Sequence, residues 1–222
     1  MTSLAQYIDH TALAADTTEQ KIQHLCQEAK TYGFWSVCIN PAYIPFAKKL
    51  LADSDVKICT VIGFPLGANM TQVKSYETEQ AILAGAQEID MVVNVGWVKS
   101  ELWDKVRSDI QAVFDACRGV PLKVILETCL LTEQEICQLC QICLEIGVAF
   151  VKTSTGFSSG GATVEAVELM KQVVGESVKI KASGGVRCRA TAQQMLEAGA
   201  SRLGTSSGVA IVTDKESTNA QY

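Results

Sequence analysis

The sequence predicts an α/β protein built as a single (β/α)8 barrel, the TIM-barrel architecture, and three observations carry that reading. Short apolar or β-branched runs alternate with longer amphipathic ones along the whole chain. Eight such units in 222 residues leave about 28 residues each, enough for a strand, a loop, a helix and a second loop. The short runs are continuously apolar, as parallel strands covered by helices should be. An open doubly wound sheet competes, but the Gly-x-Gly-x-x-Gly turn expected after its first strand is missing.

Taken in order, the strands are expected at 7–10, 36–40, 57–63, 88–95, 122–127, 150–154, 178–183 and 202–205. Helical periodicity fills 17–32, 41–51, 71–84, 101–117, 133–146, 163–174 and 189–197. Two helix starts read as capping boxes, Asp16 with Glu19 and Thr132 with Glu135. Gly33, Gly85, Gly147 and Gly199 stand at helix ends, where a left-handed cap is easy for glycine. No Pro/Gly/Ser-rich linker divides the chain, so residues 1–212 are read as one barrel. Residues 213–222 (TDKESTNAQY) are read as a polar, mobile tail.

Composition narrows the function. The chain is 48% hydrophobic and 19% charged, which excludes disorder as its main state. Its formal charge of −5, with no block of Lys or Arg, gives a nucleic acid or an anionic membrane no electrostatic footprint. The first basic residue is Lys21, and Asp9 and His10 fall where the apolar stretch of a secretory signal would sit. The longest uncharged run, 58–73, is broken by Gly63, Pro65, Gly67 and Asn69 and is too short to span a bilayer. Nine cysteines without an export signal suggest reduced thiols and a cytoplasmic protein.

Barrels of this kind keep their active sites at the carboxyl ends of the strands. Three lysines in apolar strands stand out there: Lys123, Lys152 and Lys181, spaced 29 residues apart each time. An unpaired buried ammonium is costly, so each either pairs with a carboxylate, points outward under a helix, or does chemistry. Lys152 and Lys181 lie just before Ser-Thr-Gly and Ser-Gly-Gly, near the mouth, while Lys123 lies deeper with Asp90 as a natural partner. An ordinary lysine titrates near ~10.4, and a neighbouring cation with partial burial can bring it to ~7–8, a usable nucleophile toward a carbonyl. That pattern suits Schiff-base formation. Phosphate has its own address: Gly184, Gly185, Val186 and Arg187 follow the seventh strand, and Gly204, Thr205, Ser206 and Ser207 close the eighth. Loops after strands seven and eight form the usual phosphate site of this architecture.

IDHTAL, VCINP, TVIGFPLG, DMVVN, KVILET, VKTSTGF, KASGGVR and RLGTSSG occur in that order along nearly the whole chain. In them the sequence resembles the 2-deoxyribose-5-phosphate aldolases. The resemblance implies a metal-free class I lyase with no cofactor. It would cleave 2-deoxy-D-ribose 5-phosphate to acetaldehyde and D-glyceraldehyde 3-phosphate, in deoxyribose phosphate catabolism. It also implies Lys152 as the Schiff-base lysine, Lys181 as its electrostatic neighbour and Asp90 as the proton-relay acid. Cys38, Asn40 and Thr155 would line the substrate pocket. Tyr222 would be a proton carrier on the tail, and the chain would form a homodimer. Phe157 departs from the pattern, because some relatives carry Lys after STG.

Three rival readings are weaker. A metal-dependent enzyme has only His10 and His24 to draw on. His24 reads as a surface residue of a helix, and His10 as either a substrate-side or a structural group. Cys137-x-x-Cys140-x-x-Cys143 resembles part of a ferredoxin run, but the closing Cys-x3-Cys-Pro is absent and the cysteines share one apolar helix face. A non-catalytic sugar-phosphate sensor on the same fold would leave the paired lysines without a purpose.

Overall fold

The apolar runs form eight parallel strands because their side chains are buried on both faces. The computed structural model describes residues 3–214. The strands are β1 (Ile8–Ala12), β2 (Ser36–Ile39), β3 (Lys57–Ile62), β4 (Glu88–Val92), β5 (Leu122–Ile125), β6 (Phe150–Lys152), β7 (Lys179–Ser183) and β8 (Arg202–Thr205). Each pairs with the next, and β8 closes on β1 with His10 opposite Thr205, giving a closed barrel in sequence order.

Nine helices surround the strands among the described residues: α1 (Glu19–Tyr32), α2 (Ile44–Leu50), α3 (Thr71–Ala84), α4 (Val95–Lys99), α5 (Trp103–Cys117), α6 (Glu133–Ile146), α7 (Val164–Val174), α8 (Arg189–Glu197) and α9 (Gly208–Thr213). The helix α9 reaches one residue into the segment read as tail, and Tyr222 lies outside the described residues. No helix among the described residues is long and apolar enough to cross a membrane.

Local chemistry sets the boundaries. At α1 the cap is Thr18, whose hydroxyl accepts from Lys21 N at 3.3 Å, so the expected Asp16/Glu19 box is replaced by a start two residues later. Thr132 and Glu135 do form the reciprocal box at α6. The expected strand 88–95 ends at Val92 because Asn94 caps α4, accepting from Trp97 N at 3.1 Å. The strand expected over 122–127 ends at Ile125, and Glu127 then takes a left-handed conformation with φ 61°. Gly33 and Gly147 take left-handed caps, while Gly85 has φ 124° and α8 is capped by Ala198 one residue before Gly199.

The hydrophobic core sits between the strands and the helices. Val37, Ile39, Ile89, Met91, Val124, Val151, Ile180 and Leu203 pack there with Ile22, Ile110, Leu139 and Met170. Alternate strand residues face the barrel axis instead, and most of these are polar. Cys140 and Cys143 belong to the outer core, where burial pushes the Cys140 thiol up to about 12 and the Cys143 thiol well above the usual range. The cysteine stripe on α6 is packing. His10 also faces outward: it bonds Glu28 at 2.7 Å and packs against Phe34, so it is structural and not on the substrate side.

One ion pair is buried in the helix layer. Lys74 of α3 donates to Asp109 of α5 at 2.7 Å and to Val92 O at 3.0 Å, and Thr71 donates to the other Asp109 oxygen at 2.8 Å. Both charged side chains are fully buried, so the pair fixes α3 and α5 to the end of β4. Asp109→Ala is expected to cost about 3–5 kcal/mol in urea unfolding, because it strands a buried ammonium. Combining Lys74→Met with Asp109→Leu should recover most of that loss; a double variant as unstable as the single one would contradict this reading.

Candidate active site

The barrel axis holds a chain of buried charges. Sheet geometry sets their heights, because strand pairing staggers one strand against the next. Lys152 on β6 lies opposite Lys181 on β7, whereas Lys123 on β5 lies opposite Phe150, two residues earlier on β6. The equal 29-residue spacing therefore does not give equal depth. Lys123 sits two residues lower, in register with Asp90 on β4.

Asp90 is the junction. Its Oδ2 accepts from Lys152 Nζ and from Lys181 Nζ, each at 2.8 Å. Its Oδ1 accepts from Lys123 Nζ at 2.9 Å and from the Cys59 thiol at 3.1 Å. Lys181 also lies 2.5 Å from Asp9 Oδ2, and the other Asp9 oxygen takes Arg202 at 2.9 Å and Ser36 at 2.7 Å. Lower still, Glu88 joins Lys123 at 2.6 Å and Arg202 at 2.9 Å and accepts from the Trp35 indole at 2.8 Å. Arg202 packs over the Trp35 and Phe150 rings, which close the barrel beneath the charges.

These pairings set the protonation. Burial alone pushes the Asp90 carboxyl up, but Lys123, Lys152 and Lys181 together hold it well below the usual carboxylate range. Burial is likewise outweighed at Asp9 by Lys181 and Arg202. Burial works against the charged form of Lys181 too, yet Asp9 and Asp90 raise it well above an ordinary lysine. Lys123 is raised in the same way by Asp90, Cys59 and Glu88. Four cations (Lys123, Lys152, Lys181 and Arg202) face three carboxylates (Asp9, Glu88 and Asp90) in this network. Discharging Lys152 leaves the other charges balanced.

The structure brings other expected residues to the same end of the barrel. Cys38 is buried on β2, and Asn40 directly after it donates to Leu13 O at 3.1 Å. The Thr155 hydroxyl donates to Glu127, and Glu127 Oε1 accepts from Thr155 N at 3.1 Å. Thr155 is thus held from behind by a carboxylate. Phe157 is partly exposed and meets Phe64 edge-on at 5.3 Å. The two glycine loops lie side by side: the Thr205 hydroxyl donates to Val186 O at 2.6 Å and accepts from Ser207 N at 2.9 Å. Gly184 and Gly185 have φ of 82° and 81°, a left-handed pair natural to glycine. A Cβ on Gly161 would come 2.3 Å from Gly184 O, so the loop after β6 packs directly on the loop after β7. Arg187 is exposed at the rim and Ser206 is half-buried.

Sequence reasoning missed Asp9, Glu88, Arg202, Cys59 and Glu127. One signal was available: Glu88 stands two residues before Asp90, on the same face of one strand. Another was Asp9, an acid inside an apolar run. Nothing local reveals that Arg202 pairs with Asp9, 193 residues away.

The sequence model described as DeoC/LacD family aldolase matches residues 3–214. A deoxyribose-phosphate aldolase from Histophilus somni is 60% identical over 219 residues, covering 99% of this chain and 98% of that protein. One from Mannheimia succiniciproducens is 61% identical with the same coverage. The solved tetrameric deoxyribose phosphate aldolase from Aeropyrum pernix superposes with a TM-score of 0.89 at 33% identity, covering 95% of this chain and 90% of that one. A buried lysine pair sharing one carboxylate oxygen, on a closed parallel barrel, is thus found in a chain that belongs to the DeoC/LacD aldolase family.

Proposed function

We propose that this chain is a class I aldolase that reversibly cleaves 2-deoxy-D-ribose 5-phosphate to acetaldehyde and D-glyceraldehyde 3-phosphate, with Lys152 as the covalent nucleophile. The observation that carries the assignment is the single Asp90 oxygen bonded to both Lys152 and Lys181 at 2.8 Å. Of the three strand lysines on Asp90, Lys152 alone reaches solvent, with its side chain 3% exposed against 0% for Lys123 and Lys181. The strongly bonded pairs Lys181–Asp9 and Lys123–Glu88 hold the other two as ammonium groups.

In this reading the Lys152 amine attacks the aldehyde carbon to give a carbinolamine, which loses water to an iminium. The iminium is the electron sink: the electron pair of the breaking carbon–carbon bond moves into it, leaving an enamine of acetaldehyde and releasing glyceraldehyde 3-phosphate. Ionised Asp90 and protonated Lys181 are placed to exchange the protons of imine formation and enamine protonation. The loops at Gly184, Gly185, Val186 and Arg187 and at Gly204, Thr205, Ser206 and Ser207 hold the phosphate and so decide which end of the sugar meets the amine. Cys38, Asn40 and Thr155 line the sugar. The barrel, residues 1–212, carries this chemistry, and Tyr222 in the segment 213–222 delivers a proton. A cytoplasmic homodimer completes the proposal; the Aeropyrum pernix relative is described as tetrameric.

Borohydride reduction in the presence of acetaldehyde should label the peptide containing Lys152. Lys152→Met should abolish both labelling and cleavage, and a label found on Lys123 or Lys181 alone would overturn the assignment. Ser206→Glu, which sets a carboxylate against the phosphate, should raise KM for deoxyribose 5-phosphate while leaving cleavage of unphosphorylated deoxyribose little changed. Equal losses on both sugars would remove the loops from phosphate binding.

A further inference from the structure

Two thiols stand beside the charge cluster and take no step in the proposed reaction. Cys38 on β2 and Cys59 on β3 are register partners on adjacent parallel strands, and both are fully buried. Their sulfurs lie within 4.8 Å of each other and of an Asp90 oxygen. They form a small apolar cluster with Leu13 and Val61 in the barrel, apart from the outer core. The Cys59 thiol donates to Asp90 Oδ1 at 3.1 Å and lies 3.4 Å from Lys123 Nζ. A divalent cation suits this place poorly, because Lys123, Lys152 and Lys181 already surround the same carboxylate.

We propose that Cys38 and Cys59 are a site of oxidative modification, a dithiol that hydrogen peroxide closes to a disulfide and that thereby turns the active site off reversibly. The two thiols are unequal. The neighbouring Cys59 thiol holds Cys38 below the usual thiol range despite burial, with Lys181 and Lys152 adding to the effect. Burial, then the neighbouring Cys38 and the charge of Asp90, push Cys59 well above it. Cys38 is therefore the attacking group. Its thiolate takes one oxygen of the peroxide as the O–O bond breaks, giving a sulfenic acid, and the leaving hydroxide collects a proton to become water. The Cys59 sulfur then attacks the Cys38 sulfur, the S–O bond breaks, and the hydroxyl leaves as water with the Cys59 proton. Two thiols and one peroxide become one disulfide and two waters.

The cross-link acts on the reaction centre through Asp90. Adjacent strands run about 4.8 Å apart, inside the roughly 4.4–6.8 Å Cα separation of disulfides, so register partners on β2 and β3 can be bridged. The bridge removes the thiol hydrogen from Asp90 Oδ1, whose partner oxygen carries Lys152 and Lys181. A small dithiol reopens such a bridge by thiol–disulfide exchange, which makes the switch reversible.

The test is peroxide treatment of the full-length protein, alkylation of remaining thiols, tryptic mapping without reduction, and assay of cleavage before and after dithiothreitol. Lys48, Lys49 and Lys57 separate the two cysteines, so trypsin releases them on different peptides. The expected result is a linked Cys38–Cys59 peptide pair, loss of activity, and recovery with dithiothreitol. Cys59→Ala should give no such pair, and its oxidised Cys38 should persist as a sulfenic acid that dimedone labels. Cys38 oxidised without a link, links among other cysteines only, or a linked enzyme that keeps its activity would each overturn the proposal. The peptide map needs no turnover, so it reads the dithiol even if the aldolase assignment fails, and it decides alone if Cys59→Ala does not fold.

Discussion

The Asp90 carboxylate is the interaction on which the rest of the structure depends. A buried carboxylate facing three lysines would be prohibitive if any member lacked a partner, since each charge must offset its own loss of hydration. Here every charge but Lys152 is answered twice, and Lys152 pairs with Asp90 alone. Asp90 takes two donors on each oxygen, Lys181 bridges Asp9 and Asp90, and Lys123 bridges Glu88 and Asp90. Removing Asp90 leaves Lys152 without a carboxylate and takes one partner each from Lys123 and Lys181, so the network hangs on that residue. Lys152, the one lysine of the three that reaches solvent, is also the one held by a single carboxylate.

This arrangement also explains why stability and chemistry occupy different layers. Most apolar burial lies outside the strands, under the helices, where Ile, Val, Leu and Met fill one continuous core. The inside of the barrel holds the charges, a small thiol cluster, and aromatic rings beneath them. A closed parallel sheet supplies the backbone hydrogen bonds that keep opposing strands at fixed distances, so a long lysine on β7 can reach an acid on β4. The buried Lys74–Asp109 pair extends the same logic outward by tying α3 and α5 to the last carbonyl of β4, two residues above Asp90.

Much of this was legible in the residues. The alternation of runs yields eight strands and seven of the nine described helices, and the strand-end lysines and glycine loops fall where parallel barrels keep their sites. The greater depth of Lys123 was readable too, and the register places it two residues below Lys152. Two kinds of information were not local. Competing caps move boundaries: Thr18 displaces Asp16, and Asn94 starts α4 inside what reads as strand. The partners of the lysines, Asp9 and Glu88, become visible only when distant strands are brought together, as Asp9 and Arg202 are. Single-residue chemistry was readable; the network that sets its protonation was not.

The central claim is that Asp90, with its flanking carboxylates, locks Lys123 and Lys181 as ammonium groups. Nitrogen-15 NMR of lysine side chains across a pH titration measures this directly. Both groups should remain ammonium through ~10.4, where ordinary lysines discharge, and both should titrate at lower pH in Asp90→Asn. If either lysine loses its proton at or below the ordinary range in the unaltered protein, Asp90 is not the anchor of the site.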